Sequence, residues 1–133
     1  MLPGGMRMYT NADVTLYLYS KSGKTEKYIR LPVEDVYWED VKRVNTLMSG
    51  QSNADSVLIV IPLESLDGPI NFTAGKDLAV KGLIDFEVNN TSPAALSASL
   101  SELKNTYRFV TVTTVDDKLF GSDTVQHYEL SCR

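Results

Sequence analysis

The strongest constraint on the fold is an alternation of side chains over residues 12–19. Aliphatic residues fall on one side of an extended chain here, and threonine and tyrosine fall on the other: Val14, Leu16 and Leu18 against Thr15, Tyr17 and Tyr19. A period of two residues is typical of a half-buried β-strand. Turn residues follow around Gly23, and extended residues resume at Lys27, so we expect a first β-hairpin.

Two central segments continue the strand pattern. Residues 33–44 alternate, which places Val36 and Trp38 on one face and Val33 on the other. Residues 57–62 are apolar at five successive positions, as is typical of a strand that is covered on both faces. We therefore expect this second segment to lie centrally in the fold.

The C-terminal half contains a long connection and three further strand patterns. Residues 63–77 are irregular in composition and predict a long loop. Residues 78–88 are strand-like, and Gly82 inside them indicates a bulge or a sharp barrel corner. Residues 107–115 and 124–132 predict two closing strands with a loop between them.

One segment has a helical pattern. Ser92 can cap a helix, Pro93 suits its first position, and three leucines recur at spacings of four and three residues: Leu96, Leu100 and Leu103. These residues predict a helix at about 92–105. Because six to eight strands otherwise follow one another directly, we expect a mainly β fold. We expect an antiparallel β-barrel or rolled sandwich with one short helix packed at an end.

Length and composition fit one domain of this kind. We expect a single barrel domain over residues 11–133, preceded by a flexible N-terminus at 1–10. The formal net charge of −4 argues against a protein that holds nucleic acid through a basic face. A single cysteine cannot form an internal disulfide, so a reducing compartment is expected. No apolar run approaches the ~20 residues of a membrane span.

The only histidine and the only cysteine lie close together near the C-terminus. His127 and Cys132 are five residues apart, and this odd spacing puts them on opposite faces of a strand, out of reach of each other. If the last two strands turn near residue 120, His127 lies opposite Thr113 and about 10 Å from Asp116. We therefore interpret Cys132 as a buried thiol and His127 as exposed or interfacial. No catalytic, metal-binding or cofactor-binding residue is assigned, and no enzyme is expected.

Four aromatic residues could form a stacking platform of the kind that binds single-stranded nucleic acid: Tyr17, Tyr19, Tyr37 and Trp38. The acidic chain interleaves few lysines or arginines with them. We therefore favour an interpretation in which these rings pack in the core and on the faces of the sheet.

The order of several short motifs resembles a known family. The motifs are DVTLYLY, YIRLPVEDVYWED, ADSVLIVIP, KDLAVKGLIDFEV, SELKNTY and TVTTVDDKLFGSDTVQHYELSCR. Together they resemble the small head-closure proteins of tailed phages and prophages of Gram-positive bacteria, also labelled head–tail joining or minor capsid proteins. The resemblance covers about residues 11–133. Its most specific parts are the strand ending at Trp38, the Asp77–Gly82 motif and the closing block. Family members usually carry a longer, aromatic-rich segment before Asp77, and here that segment has only Phe72 as an aromatic.

The resemblance implies a β-barrel or sandwich that docks under the portal and adaptor ring of the phage neck. Such a subunit forms a homo-oligomeric ring, retains packaged DNA and offers a surface to the tail proteins. DNA passes through the channel without specific binding, and neither a cofactor nor a membrane is involved. The isolated subunit can be a monomer. The implied location is the virion neck, and the bacterial cytoplasm during assembly or as a prophage product.

The loop at 63–77 and the strand faces around Trp38 and His127 are the expected contact regions. The candidate interface residues are Tyr17, Tyr19, Trp38, Leu66, Phe72, Phe120 and His127. We expect this loop, with its few apolar anchors, to become ordered only on assembly. Two alternatives stay open: a tail-completion or minor tail protein, and a small-barrel module that binds nucleic acid or glycan.

Overall fold

A computed structural model of the protein describes residues 9–40, 57–121 and 125–133. The strands in these ranges are β1 (Ala12–Ser22), β2 (Thr25–Asp40), β3 (Val57–Pro62), β4 (Leu78–Lys81), β5 (Phe109–Lys118) and β6 (His127–Cys132). They form a closed antiparallel barrel in the order β1-β2-β3-β6-β5-β4. In the same ranges, one α-helix, α1 (Pro93–Thr106), lies between β4 and β5, and a single 3-10 turn (Leu63–Ser65) follows β3. The mainly β fold with a single short helix is thus confirmed.

Two sequence predictions fall wholly or partly beyond this range. The expected flexible N-terminus includes residues 1–8, and the alternating pattern of the second strand continued to Val44. Residues 1–8 and 41–44 lie outside the described residues. Within the described parts of the chain, no helix is long and apolar enough to span a membrane.

The first hairpin is confirmed. Ser22 pairs with Thr25, so the turn consists of Gly23 and Lys24 alone. Gly23 has a φ of 63°, a backbone conformation that glycine adopts without steric cost. Beyond Tyr17, β1 no longer pairs with β4, and the hairpin tip therefore extends past the barrel wall.

A bulge in β2 corrects the predicted faces of that strand. Val36 pairs with Ala12 and Val33 pairs with Val14, so β2 spans three residues where β1 spans two. Asp35, with a φ of 62°, is the residue in the left-handed conformation in this stretch. As a result Val33 and Val36 are both buried in the barrel, at 2% and 0% exposure. The prediction of opposite faces was wrong because simple alternation does not anticipate an extra residue.

The protein has two hydrophobic cores, one inside the barrel and one outside it. The interior core is mainly aliphatic: Val14, Leu16, Val33, Val36, Val57, Ile59, Ile61, Ala79, Val110, Val112, Tyr128, Leu130 and Cys132. The outer core is formed by Tyr17, Leu78, Val80, Val88, Leu96 and Leu103. Because β1 and β4 carry apolar side chains on their outward faces too, α1 packs against this wall. The expected position at an end of the barrel was wrong.

The helix itself forms as its sequence predicts. Ser92 is extended and its Oγ accepts a hydrogen bond from the backbone N–H of Ala95 at 3.1 Å, which satisfies one free donor of the first turn. Pro93 occupies the first helical position. Leu96 and Leu103 are buried against the wall. The bounds of α1 confirm the predicted helix to within one residue at each end.

The strand predicted over residues 78–88 is shorter in the structure. It ends at Lys81, and Gly82 has a φ of 95° that turns the chain away from the sheet. Side chains of β1 then bind the departing segment. The buried Thr15 hydroxyl donates to Gly82 O at 2.8 Å and accepts from Ile84 N at 3.0 Å. Hydrogen bonds to side chains here replace the backbone ladder that the pattern had predicted.

The loop at 63–77 closes one mouth of the barrel and is fixed by its own contacts. Phe72 meets Tyr128 edge to face, with ring centroids 5.0 Å apart, and the Tyr128 hydroxyl accepts from Ile70 N at 3.0 Å. Leu63 and Leu66 pack against the interior core. The expectation that this loop orders only on assembly was wrong, because Leu63, Leu66 and Phe72 already pack against the core within the single chain.

Candidate functional site

The closing hairpin has a different register from the predicted one. His127 pairs with Lys118, and Asp116 pairs with Glu129, so the connection lies after residue 118. The predicted pairing of His127 with Thr113 was wrong by five residues. Asp116 and His127 therefore share the outer face of the barrel as diagonal neighbours, roughly 7–8 Å apart between Cα atoms. The distance between Asp116 and His127 therefore does not by itself exclude a contact between their side chains.

Opposite faces do separate His127 from Cys132, as predicted. Cys132 is fully buried in the interior core, where it pairs across the ladders with Val57 and Val112. The His127 side chain lies on the outer face and is 14% exposed. The barrel wall thus lies between the thiol and the imidazole, and the interpretation of Cys132 as a buried thiol is confirmed.

Both ring nitrogens of His127 already have partners. Nδ1 lies 2.8 Å from the backbone O of Val125, and Nε2 lies 2.9 Å from Oε2 of Glu129. Beside this pair, Lys118 Nζ lies 3.2 Å from Asp116 Oδ2. Because both nitrogens are engaged, neither is placed to take a proton from a hydroxyl. The arrangement orients the ring and ties β6 to the loop before it.

Tyr17 is the candidate interface residue that the structure corrects. Its side chain is fully buried in the outer core, and its hydroxyl donates to Phe86 O at 2.7 Å. Burial raises the pKa of this phenol to about 12. Alternation correctly placed Tyr17 on the outward face, but α1 and the segment after β4 cover that face. Tyr17 therefore offers no contact surface.

Tyr19 lies at the edge of the covered wall in a small aromatic cluster. Its ring meets that of Tyr28 edge to face at 5.4 Å, and Lys76 Nζ lies 5.3 Å from the ring centroid. The Tyr19 hydroxyl donates to Glu26 Oε2 at 2.6 Å, and this hydrogen bond raises the pKa of the phenol to about 12. The cluster combines a half-buried aromatic pair with one cation and one carboxylate.

Three further candidates are half-buried and stabilise the barrel. Trp38, Leu66 and Phe72 pack against the interior core. The backbone of Trp38 is also held by the Asn11 side chain, which accepts from Trp38 N at 2.8 Å and donates to Trp38 O at 3.1 Å. The four aromatics considered as a stacking platform thus pack in separate places, as we favoured.

Phe120 is the most exposed of the predicted contact residues, at 71%. The next residue, Gly121, lies against Val125, which is 45% exposed: a Cβ at Gly121 would lie only 3.0 Å from Val125 Cγ2. Sequence reasoning missed Val125, and it also missed three other exposed apolar side chains: Tyr9, Ile29 and Leu83. Ile29 pairs with Leu18 on the inward side of the hairpin. Its exposure arises because the hairpin extends past the barrel, which alternation cannot reveal.

An open groove lies between β2 and the loop at 63–77. Its volume is about 640 Å³, and it is lined by residues 31–35 on one wall and residues 64–70 on the other. The two walls are about thirty residues apart in the chain. No local sequence motif therefore predicts the groove. Among the described residues, no group of three or more histidine, cysteine or acidic side chains is arranged to hold a metal ion.

The comparisons with known proteins define a family but no activity. Residues 9–133 match the model of a family of unknown function, DUF6751. The chain belongs to DUF6751. The DUF6751 match includes all six strands of the barrel and α1. No curated protein and no solved structure matches the chain.

Proposed function

We propose that this protein is a structural component of a phage virion, a head-closure or head–tail connector subunit. In this proposal it forms a ring between the portal and adaptor on one side and the tail on the other. The ordered motifs that resemble head-closure proteins support the proposal. Most of them form strands of the barrel, and SELKNTY begins within α1.

The observation that carries the proposal is a pair of exposed apolar patches at opposite ends of the barrel. Tyr9 is 73% exposed, meets Tyr37 at 5.9 Å between ring centroids, and precedes the start of β1. Phe120 and Val125 follow the end of β5. Since β1 and β5 are each antiparallel to β4, they run in the same direction, and the start of one lies opposite the end of the other.

Two distinct patches suit a subunit that is placed between two different neighbours. Exposed apolar groups at a loop end are stabilised when a partner removes them from water. A connector must contact the portal side and the tail side at once, and each patch can serve one of them. The same geometry serves a tail-completion protein, for which the neighbours would be tail subunits.

The test is to mix the protein with the portal–adaptor assembly of the phage or prophage that encodes it and to image the product by electron microscopy. We expect an additional ring of density below the adaptor. The variant Phe120→Ser should add no ring, whereas Ala98→Ser should behave as the wild type, because Ala98 is exposed on α1 and belongs to neither patch. A wild-type protein that adds no density would refute the proposal.

The Tyr19–Tyr28–Lys76 cluster is the observation that favours the alternative of a nucleic-acid or glycan module. Stacking on aromatic rings is worth roughly 1–3 kcal/mol per base. Here Glu26 engages the Tyr19 hydroxyl and offsets the charge of Lys76. Salt-dependent retention on single-stranded DNA that is lost in Tyr19→Ala would support this module and count against the connector.

A further inference from the structure

The groove between β2 and the loop at 63–77 contains an unpaired stretch of sheet edge. Among the described residues, β3 pairs with β2 only over Tyr37–Asp40. The preceding residues of β2, 31–35, form one wall of the groove instead. An extended segment of another chain can lie along such an edge, as in other cases where a peptide adds to a sheet.

The lining of the groove is rich in acceptors and negative charge. Among the described residues that line it, the four ionisable side chains are all carboxylates, contributed equally by the two walls: Glu34, Asp35, Glu64 and Asp67. Pro32 and Pro69 also line it, and proline has no backbone N–H to donate. The remaining surface is partly apolar, from Leu31, Val33, Leu66 and Ile70. An occupant therefore needs cationic donors together with aliphatic surface.

The groove is already formed in the free protein. Asp35, at the bulge, donates its backbone N–H to Asp13 Oδ1 at 3.1 Å, and its carbonyl accepts from the Ser65 hydroxyl at 2.7 Å. The second of these bonds ties one wall of the groove directly to the other. The opposite wall is also anchored through Ile70, whose N–H donates to the buried Tyr128. Binding here does not require the walls to become ordered first, which lowers its entropic cost.

We propose that this groove binds an extended, lysine- or arginine-bearing segment of a partner protein. Charge complementarity, together with the absence of basic side chains among the described residues that line the groove, selects that occupant over a second copy of this chain, whose net charge is −4. Lysine and arginine also carry long aliphatic stems that can cover the apolar part of the surface. The proposal goes beyond the connector function and does not depend on it, since no residue that lines the groove belongs to either apolar patch.

The test uses the full-length protein and a fluorescein-labelled decapeptide of alternating arginine and alanine. A matched decapeptide with glutamate in place of arginine is the control for the label and the backbone. Fluorescence anisotropy measures affinity, and two-dimensional amide NMR of the wild type maps the contact. We expect binding of the arginine peptide alone, with shifts concentrated in residues 31–35 and 64–70.

Two charge-reversal variants separate the groove from the general acidity of the chain. Glu34→Lys with Asp67→Lys changes the groove, and Asp85→Lys with Glu102→Lys makes the same charge change at exposed positions elsewhere. Since the groove variant replaces two attractive carboxylates by two repulsive cations, we expect a loss of affinity of roughly tenfold. The control should lose no more than about twofold, because distant exposed charges are screened.

Three results would overturn the proposal. The first is an equal loss of affinity in both variants, which would show attraction to net charge alone. The second is wild-type NMR shifts that fall outside the groove, a readout that stays valid even if the groove variant does not fold. The third is self-association in sedimentation velocity that disappears in the groove variant, because the occupant would then be a second copy.

Discussion

The two hydrophobic cores satisfy their backbone groups in different ways. Inside the barrel, each strand bonds to a neighbouring strand on either side, so the ladder itself satisfies the polar groups around an aliphatic core. The outer core is covered by a segment and a helix that form no ladder with β1 or β4. There, side chains form the hydrogen bonds to backbone groups that a neighbouring strand would otherwise form.

Four side chains perform most of this replacement. Thr15 and Tyr17 bind the segment after β4, as described above. Asn90 accepts from Tyr28 N at 2.9 Å and donates to Tyr28 O at 3.0 Å, so its amide mimics a strand residue at the free edge of β2. Asp77 accepts from Tyr19 N at the free edge of β1 through Oδ1, and its Oδ2 accepts from Thr73 N in the loop. The outer core therefore depends on individual residues, whereas the interior depends on the whole closed sheet.

The largest expected effect tests whether the two cores unfold together. Leu130→Ala and Leu103→Ala each truncate a fully buried leucine, the first inside the barrel and the second under α1. Each should lower the free energy of unfolding by about 2–5 kcal/mol in urea denaturation. Amide hydrogen exchange distinguishes the two variants. Leu103→Ala should speed exchange in α1 while barrel amides stay protected, and Leu130→Ala should speed exchange throughout. Uniform acceleration in both variants would show a single cooperative core.

The next effect tests the carboxylate that supports the outer wall. Asp77 is fully buried and accepts from Tyr19 N at 2.8 Å through Oδ1 and from Thr73 N through Oδ2. Asp77→Asn keeps the shape but turns one acceptor toward a donor, which leaves a buried N–H unpaired. We expect a loss of about 1–3 kcal/mol in the free energy of unfolding. Asp85→Asn, at an exposed site, should be neutral, and equal losses in the two variants would contradict this account.

Sequence patterns predicted most of the barrel because they report what each residue must bury. The alternation in β1, the apolar run of β3 and the leucines of α1 each describe a local face, and local faces are what strands and helices preserve. The register of β5 and β6 was not predictable in this way. The position of the turn depends on how long the strands stay paired, and a turn dipeptide such as Gly121-Ser122 indicates a turn without fixing which residues pair on either side of it.

The candidate contact residues were predicted less well for a similar reason. Tyr17 is buried and Ile29 is exposed, although both lie in the first hairpin. Tyr17 faces outward and is covered by α1, whereas Ile29 faces inward and is exposed. Whether a side chain of this hairpin is covered depends on parts of the chain more than fifty residues away, and a local sequence pattern does not report their position. The groove escaped prediction because its walls meet only through tertiary contacts such as Ser65 with Asp35.

A smaller effect tests the strand-mimicking amide. Asn90→Ala removes both bonds to Tyr28 and exposes the free edge of β2. Because the site is partly open and water can replace the amide, we expect a loss of about 1–2 kcal/mol in the free energy of unfolding. The matched variant is Asn71→Ala, an exposed loop asparagine, which should change stability by less than about 0.5 kcal/mol. An Asn90→Ala protein as stable as the wild type would show that this edge needs no partner.

The smallest expected effect is a pH dependence that belongs to the outer core alone. Burial of Asp77 raises the pKa of its carboxyl above the ordinary value of 3.8, since desolvation outweighs the backbone hydrogen bonds from Tyr19 and Thr73. The Asp77 carboxyl therefore binds its proton more tightly in the folded protein than in the unfolded chain. The stability from this group is therefore complete below pH 3.8 and is lost as the pH rises through the raised pKa. Urea denaturation of the wild type and Asp77→Asn across this range isolates the contribution, because asparagine does not titrate. The advantage of the wild type should shrink as the pH rises, and a constant difference would mean that the carboxyl titrates alike in both states.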